Sequence, residues 1–126
     1  MGERNGKILV IDDQLGMRML LQQMLTEAGY QAETAPDGKS GLEKANWVRP
    51  ELILVDMKMP GMTGLEFVER LRSGGMSPPV VLMTAYDDSE LLERARKAGV
   101  DRWLIKPFNI NELLELVANL VVRAEA

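Results

Sequence analysis

Four aliphatic runs end in polar groups that apolar packing does not require. Lys7–Ile11 stops at Asp12-Asp13, Leu52–Val55 at Asp56, Val80–Met83 at Thr84, and Asp101–Ile105 at Lys106. Each run reads as a strand, and Leu52-Ile53-Leu54-Val55 reads as one buried on both faces, in the manner of a parallel sheet. Parallel strands bring their carboxyl ends to one edge, so three carboxylates, a hydroxyl and an ammonium would converge there. Acids gathered in this way repel one another unless a cation sits among them. Oxygen donors without His or Cys suit Mg²⁺ or Mn²⁺ rather than zinc. Such hard dications keep several waters and take phosphate oxygens readily, which points to phosphoryl chemistry. In that chemistry Asp56 is a nucleophile, with Lys106 and Thr84 as cation and donor for the transferring oxygens. Residue by residue there is an alternative. Asp12 and Asp13 would cap the following helix, Asp56 would cap a turn with Pro60-Gly61, and Lys106 would be solvated.

The intervening segments supply the elements that position these groups. Met17, Leu20, Leu21, Met24, Leu25 and Ala28 recur at helical spacing after Asp13, and Gly29 ends that helix as a C′ residue. Gln31–Ala35 is a weak strand, required by the alternating rhythm more than by its own residues. Pro36-Asp37-Gly38 turns into a second helix over about Lys39–Trp47, ended by Arg49-Pro50, and a third spans about Gly64–Ser73. Asp87 with Glu90 reads as a capping box opening a fourth helix, which closes at Ala98-Gly99. Asn109 is the expected N-cap of a fifth, with Ile110, Leu113, Leu114, Val117, Leu120 and Val121 on one face. Strands starting near 7, 31, 52, 80 and 101, each followed by a helix, predict an α/β fold: a doubly wound parallel sheet with helices on both faces.

At 126 residues the chain is read as one domain, 1–126, with its core over about 7–122. No apolar run reaches membrane-spanning length and Met1–Gly6 is no signal peptide, so no membrane association is expected. Without cysteine there is neither a disulfide framework nor a thiolate metal site, and a cytoplasmic location is the default. Without histidine the chain cannot itself carry a phosphohistidine. A net charge of −4 and the lack of any basic run argue against direct nucleic-acid binding.

Val10-Ile11-Asp12-Asp13, Val55-Asp56-Met57-Lys58-Met59-Pro60-Gly61-Met62-x-Gly64, Met83-Thr84-Ala85 and Lys106-Pro107-Phe108, in that order, resemble a response-regulator receiver domain of two-component signalling. The resemblance runs from about Lys7 to Val121 and implies a flavodoxin-like five-stranded sheet of order 2-1-3-4-5 with five helices. It implies that Asp56 is the phosphoacceptor. It further implies that Asp13, Asp56 and the backbone carbonyl of Lys58 bind Mg²⁺, that Asp12 reaches the ion through water, and that Thr84 and Lys106 contact the phosphoryl group. Lys106–Pro107 is then expected to be cis. Asp13-Gln14-x-Gly16-x-Arg18, Thr84-Ala85-Tyr86 and Lys106-Pro107-Phe108-Asn109-Ile110 are similar to the stand-alone receivers of sporulation phosphorelays. Those pass phosphoryl groups between histidines.

The expected partners are therefore a sensor histidine kinase or histidine phosphotransferase and a downstream histidine protein, with the receiver a monomer when unphosphorylated. Gln14, Leu15, Gly16, Met17, Pro107 and Phe108 would form the docking surface, unless Leu15, Met17 and Phe108 are core. Met57, Met59 and Met62 would add an adaptable surface or simply fill space. Lys58 and Tyr86 occupy positions that often steer the hydrolytic water, and neither is a carboxylate or amide, so a long-lived Asp56-phosphate is expected. Trp103 falls where receivers carry a switch aromatic, usually Tyr or Phe. As a bulkier, donor-only side chain it is equally a packing residue. Thr63 stands where the pattern often has Asp, and no role is assigned to it.

The chain is expected not to be an enzyme beyond catalysing its own phosphorylation and slow dephosphorylation. One alternative is a receiver switching an attached or separate output. A remote one is a small aspartyl-phosphate phosphatase, which would need an acid at position 58, where Lys58 stands. A nucleotide or flavin binder lacks its Gly-rich loop after the first strand.

Overall fold

The computed structural model describes residues 6–85 and 88–125, with side chains to 121. Five strands and five helices alternate: β1 Lys7–Ile11, α1 Leu15–Glu27, β2 Gln31–Ala35, α2 Gly38–Val48, β3 Leu52–Asp56, α3 Gly64–Ser73, β4 Val80–Thr84, α4 Ser89–Ala98, β5 Arg102–Ile105 and α5 Ile110–Glu125. All strand pairs are parallel and the sheet order is β2-β1-β3-β4-β5. The expected fold is thus the observed one.

Alternation along the strands divides the core. Leu9, Ile11, Ile53, Val55, Val80 and Leu82 face a cluster with Ala45, Phe67, Val68, Leu71 and Ala95 from α2, α3 and α4. Ile8, Val10, Leu52, Leu54, Val81 and Met83 face Leu21 and Leu25 of α1 and Leu113, Val117 and Leu120 of α5. Both faces of the central strands are therefore covered, which is why their sequences are continuous aliphatic runs. On the outer edge of β2, the side chains of Gln22 and Lys44 donate to the carbonyls of Ala32 (2.9 Å) and Thr34 (2.6 Å).

Local chemistry explains most boundaries and corrects several expectations. Asp37 caps α2 by accepting from the Ser40 amide (2.8 Å), and Asn109 caps α5 by accepting from the Glu112 amide (2.7 Å). Asp88, not Asp87, is the cap of α4, its carboxylate accepting from the Glu90 amide at 2.9 Å. Asp87 lies outside the described residues. Thr63 has a role after all: its hydroxyl accepts from the Glu66 amide (3.1 Å) while Glu66 accepts from the Thr63 amide (2.9 Å), a reciprocal capping box that starts α3. β5 begins at Arg102 rather than Asp101, because the Asp101 carboxylate turns to accept from the Val80 amide (2.8 Å) and from Arg72 (3.1 Å). α2 runs one residue beyond Trp47 and closes on Arg49, whose φ of 57° is left-handed. Leu20 is not core: the face of α1 that packs is Leu21 and Leu25, and Leu20 points outward. Met59 and Met62 are buried in the α2–α3 side of the core, so they fill space there rather than form a surface. Among the described residues no helix is long and apolar enough to cross a membrane.

Candidate functional site at the carboxyl edge of the sheet

The sheet order places β1 between β2 and β3, and the helices leaving β1 and β3 cover opposite faces. A crevice opens at the carboxyl ends of these strands, the usual ligand position in a doubly wound sheet. Asp12 and Asp13 enter it from β1, Asp56 from β3, Thr84 from β4 and Lys106 from β5. The cleft there is about 570 Å³ and is lined by Asp13, Gln14, Asp56, Met57, Lys58, Thr84, Ala85 and Lys106 among others. A larger cleft of about 780 Å³ at the amino edge, bordered by Arg49, Glu51, Asp101 and Arg102, contains none of these groups. Size does not locate the chemistry.

One carboxylate oxygen from each of Asp12, Asp13 and Asp56 lies within 4.8 Å of the other two. Asp12 is fully buried and Asp56 is 6% exposed, whereas Asp13 is open to the cleft. The Lys106 ammonium donates to Asp56 Oδ1 at 2.8 Å and stands 3.9 Å from Asp12 Oδ2, so it is paired with the acids rather than simply solvated. The Lys106–Pro107 bond is cis. Asp12 Oδ1 accepts from the Gln14 amide (2.9 Å), but Oδ2 is buried with no hydrogen-bond partner. Burial, and then the charges of Asp56 and Asp13, push the Asp12 carboxyl above the ordinary carboxylate range, against the pull of the Gln14 amide and Lys106. The local turn made by Asp12 and its membership of the acid cluster therefore coexist, with Oδ1 on the Gln14 amide and Oδ2 left without a hydrogen bond. An orphaned buried oxygen in an all-oxygen cluster fits a hard dication.

The β3–α3 loop is held tightly behind Asp56. The Met57 amide donates to the Met83 carbonyl and the Gly64 amide to the Met57 carbonyl, both at 2.8 Å. A Cβ at Gly64 would lie 2.7 Å from the Asp56 carbonyl oxygen and 3.0 Å from Met57 Cα, so only glycine allows α3 to start this close to the acid. Thr84 is buried at the end of β4, where its carbonyl accepts from the Lys106 amide at 2.7 Å.

The surface beside the cleft has three parts. Gln14, Gly16 and Pro107 are exposed, Leu15 is 61% exposed, and Met17 and Phe108 are half-buried against the α1–α5 side of the core. Met19 (62% exposed) and Leu20 (43%) extend this apolar strip along α1, an extension that helical periodicity alone concealed by reading Leu20 as core. Trp103 is half-buried, packed on the α3–α4 side of the core. Tyr86 lies outside the described residues.

A family model described as the response regulator receiver domain matches residues 8–118. The chain belongs to the response-regulator receiver family. The receiver is 37% identical over 113 residues to the sporulation initiation phosphotransferase F of Bacillus subtilis, covering 90% of this chain and 91% of that protein. It is 36% identical to the transcriptional regulatory protein PdtaR of Mycobacterium tuberculosis over 93% of its own length but only 57% of that protein's. Of the other curated regulators it matches, it spans about half the length. Among solved structures it is similar to the chemotaxis protein CheY4 of Vibrio cholerae, with a TM-score of 0.88 and 34% identity over 93% of this chain and 99% of that one. The receiver domain of the Francisella response regulator 1452 superposes with a TM-score of 0.90 at 33% identity, covering 94% of this chain and 98% of that one.

Proposed function

We propose that this receiver takes a phosphoryl group from a partner's phosphohistidine onto Asp56 and hands it to a second histidine protein. The observation that carries the proposal is the Asp56 carboxylate at the floor of the acidic cleft, bonded to Lys106 beside the Asp12 oxygen that no hydrogen bond engages. Asp12, Asp13, Asp56 and the Lys58 backbone carbonyl are the groups assigned to Mg²⁺, with Mn²⁺ as a substitute. When bound, the ion neutralises phosphoryl oxygens.

The chain's own groups do the rest. An Asp56 carboxylate oxygen attacks phosphorus in line, forming the new P–O bond as the P–N bond to the imidazole breaks, and the imidazole leaves with the electron pair. Lys106 and the Thr84 hydroxyl stabilise the charge on the transferring oxygens. Reversal of the step on another histidine completes the relay. The receiver acts on no separate substrate, so it is not an enzyme in the ordinary sense. We assign Gln14, Leu15, Gly16, Met17, Pro107 and Phe108, with Met19 and Leu20, to docking of the histidine protein, and place the chain in the cytoplasm as a monomer before phosphorylation.

Similarity at 36% identity to regulators such as PdtaR supports a second reading, in which phosphorylation switches an output. Phosphate lifetime separates the two. An intact-mass time course with Mg²⁺ and a small acyl phosphate, beside Asp56→Asn, should show one phosphoryl group on wild type only, lost slowly. Rapid loss would favour the switch, and equal labelling of the variant would remove Asp56 as acceptor. Lys58→Asn and Tyr86→Glu should each shorten the lifetime. If neither does, those positions do not protect the phosphate.

A further inference from the structure

The geometry points to Arg18 as the positioning residue of the acidic loop. This inference rests on the reading of Asp12 and Asp13 as dication ligands and adds a residue to it. Arg18 belongs to the Asp13-Gln14-x-Gly16-x-Arg18 pattern, yet it lines neither the cleft nor the acid cluster. Its half-buried side chain reaches back one turn of α1, and Nη1 donates to the Asp12 carbonyl oxygen at 2.7 Å.

That carbonyl occupies a particular place. The Asp12 amide makes the last bond of the β1–β2 edge, to the Ala35 carbonyl at 3.2 Å, and β2 has ended there. The Asp12 carbonyl thus lies beyond the ladder on a fully buried residue, and a buried acceptor with no donor is costly. Arg18 supplies the donor, and a charged one.

The carbonyl also belongs to the one peptide plane that joins Asp12 to Asp13. The two torsions that flank it, ψ of Asp12 and φ of Asp13, fix the direction of the Asp13 side chain relative to that of Asp12, and a donor on its carbonyl holds both. Two local bonds fix the rest of the loop: the Gln14 amide to Asp12 Oδ1 at 2.9 Å, and the Arg18 amide to the Gln14 carbonyl at 3.0 Å. With the Arg18 side chain on the plane, every polar group of Asp12 is hydrogen-bonded except Oδ2, which has only the Lys106 ammonium at 3.9 Å. Arg18 therefore holds the orientation of Asp13 relative to Asp12, whose own carboxylate the Gln14 amide orients. It acts through them and touches no phosphoryl group itself.

The test is a Mg²⁺ titration of the unphosphorylated chain by amide NMR shifts for wild type, Arg18→Met and Arg18→Lys. Met keeps the packing of the stem and removes the donor, and Lys restores a single donor on a flexible stem. Arg18→Met should bind Mg²⁺ about tenfold more weakly, in line with the loss of an orienting group behind a ligand. Arg18→Lys should recover most of that affinity. Labelling by a small acyl phosphate should show a raised Mg²⁺ requirement in Arg18→Met with the wild-type rate regained at saturating Mg²⁺, a split that general destabilisation does not produce. Wild type binding Mg²⁺ with Arg18→Met unchanged, or Lys no better than Met, would overturn the inference alone. Wild type binding no Mg²⁺ would overturn it together with the metal reading beneath it.

Discussion

Gly64→Ala and Gly16→Ala are the same chemical change with opposite expected signs. Each glycine lies in the first turn of a helix, where alanine gains at most about 0.5–1 kcal/mol in backbone propensity. At Gly16 an added Cβ meets nothing within 4 Å, so that gain should appear as stabilisation of a few tenths to 1 kcal/mol. At Gly64 the Cβ would sit 2.7 Å from the Asp56 carbonyl oxygen, 2.7 Å from Leu82 Cδ1 and 3.0 Å from Met57 Cα. Two of the three obstacles are backbone, in a loop pinned by the Met57 and Gly64 amide bonds, and cannot yield by a rotamer change. Overpacking of this kind costs about 1–3 kcal/mol, and the immobile obstacles put it in the upper half of that range. The net loss is about 2 kcal/mol, which for a domain of this size lowers the melting midpoint by about 6–10 °C. Relief of the clash moves the Asp56 peptide, so acyl-phosphate labelling of Asp56 should also slow, whereas Gly16→Ala should leave the chemistry intact. Urea and thermal melts with intact-mass labelling read both effects. A Gly64→Ala protein as stable as wild type would refute the claim that α3 starts against Asp56 by the narrowest available margin.

Lys106→Ala removes the partner of a buried carboxylate and the cation for the transferring group, so labelling of Asp56 should fall by about 10²–10³-fold; a drop of less than tenfold in a labelling time course would contradict its role. The raised Asp12 carboxyl makes the folded state bind a proton more tightly than the unfolded chain. Stability of the metal-free protein should therefore fall as pH rises above the ordinary carboxylate value of 3.8 and level off once Asp12 is ionised. Asp12→Asn should abolish that slope, and parallel urea-midpoint curves for the two proteins across acidic to neutral pH would count against it. Thr63→Ala breaks the reciprocal cap of α3 and should cost about 1 kcal/mol in urea unfolding, while Thr63→Asp, an equally good cap, should be near neutral.

The acidic edge was legible in the sequence because a strand covered on both faces leaves no place for a carboxylate except its end. Asp12, Asp56, Thr84 and Lys106 each interrupt an aliphatic run at the point where the strand leaves the core. Contacts made across the fold left no such mark. Arg72 donates to the carbonyls of Gly99, Met76 and Pro78 and pairs with Asp101, tying α3 to the entries of β4 and β5, yet nothing around it in sequence distinguishes it from a solvated arginine. Thr63 was missed for a different reason. Compared with the family pattern it read only as a departure without a role, although its hydroxyl accepts from the Glu66 amide as an Asp carboxylate would. Asp87 and Asp88 are adjacent and chemically equal, and only the backbone decides which one faces the Glu90 amide. Leu20 sits on an α1 whose apolar residues cover more than one stripe, and periodicity cannot say which stripe finds a partner.

The capped rim of β2 bears on how the domain ages rather than on how it signals. A sheet edge with open donors and acceptors is a seed on which a misfolded neighbour can stack. Here the outward carbonyls of Ala32 and Thr34 already hold the side chains of Gln22 and Lys44, one reaching over from each layer of helices. The carboxylate of Glu33 pairs with Lys44 at 3.7 Å. A stray strand arriving at this rim meets amide donors and a charged fence, and half a ladder does not hold.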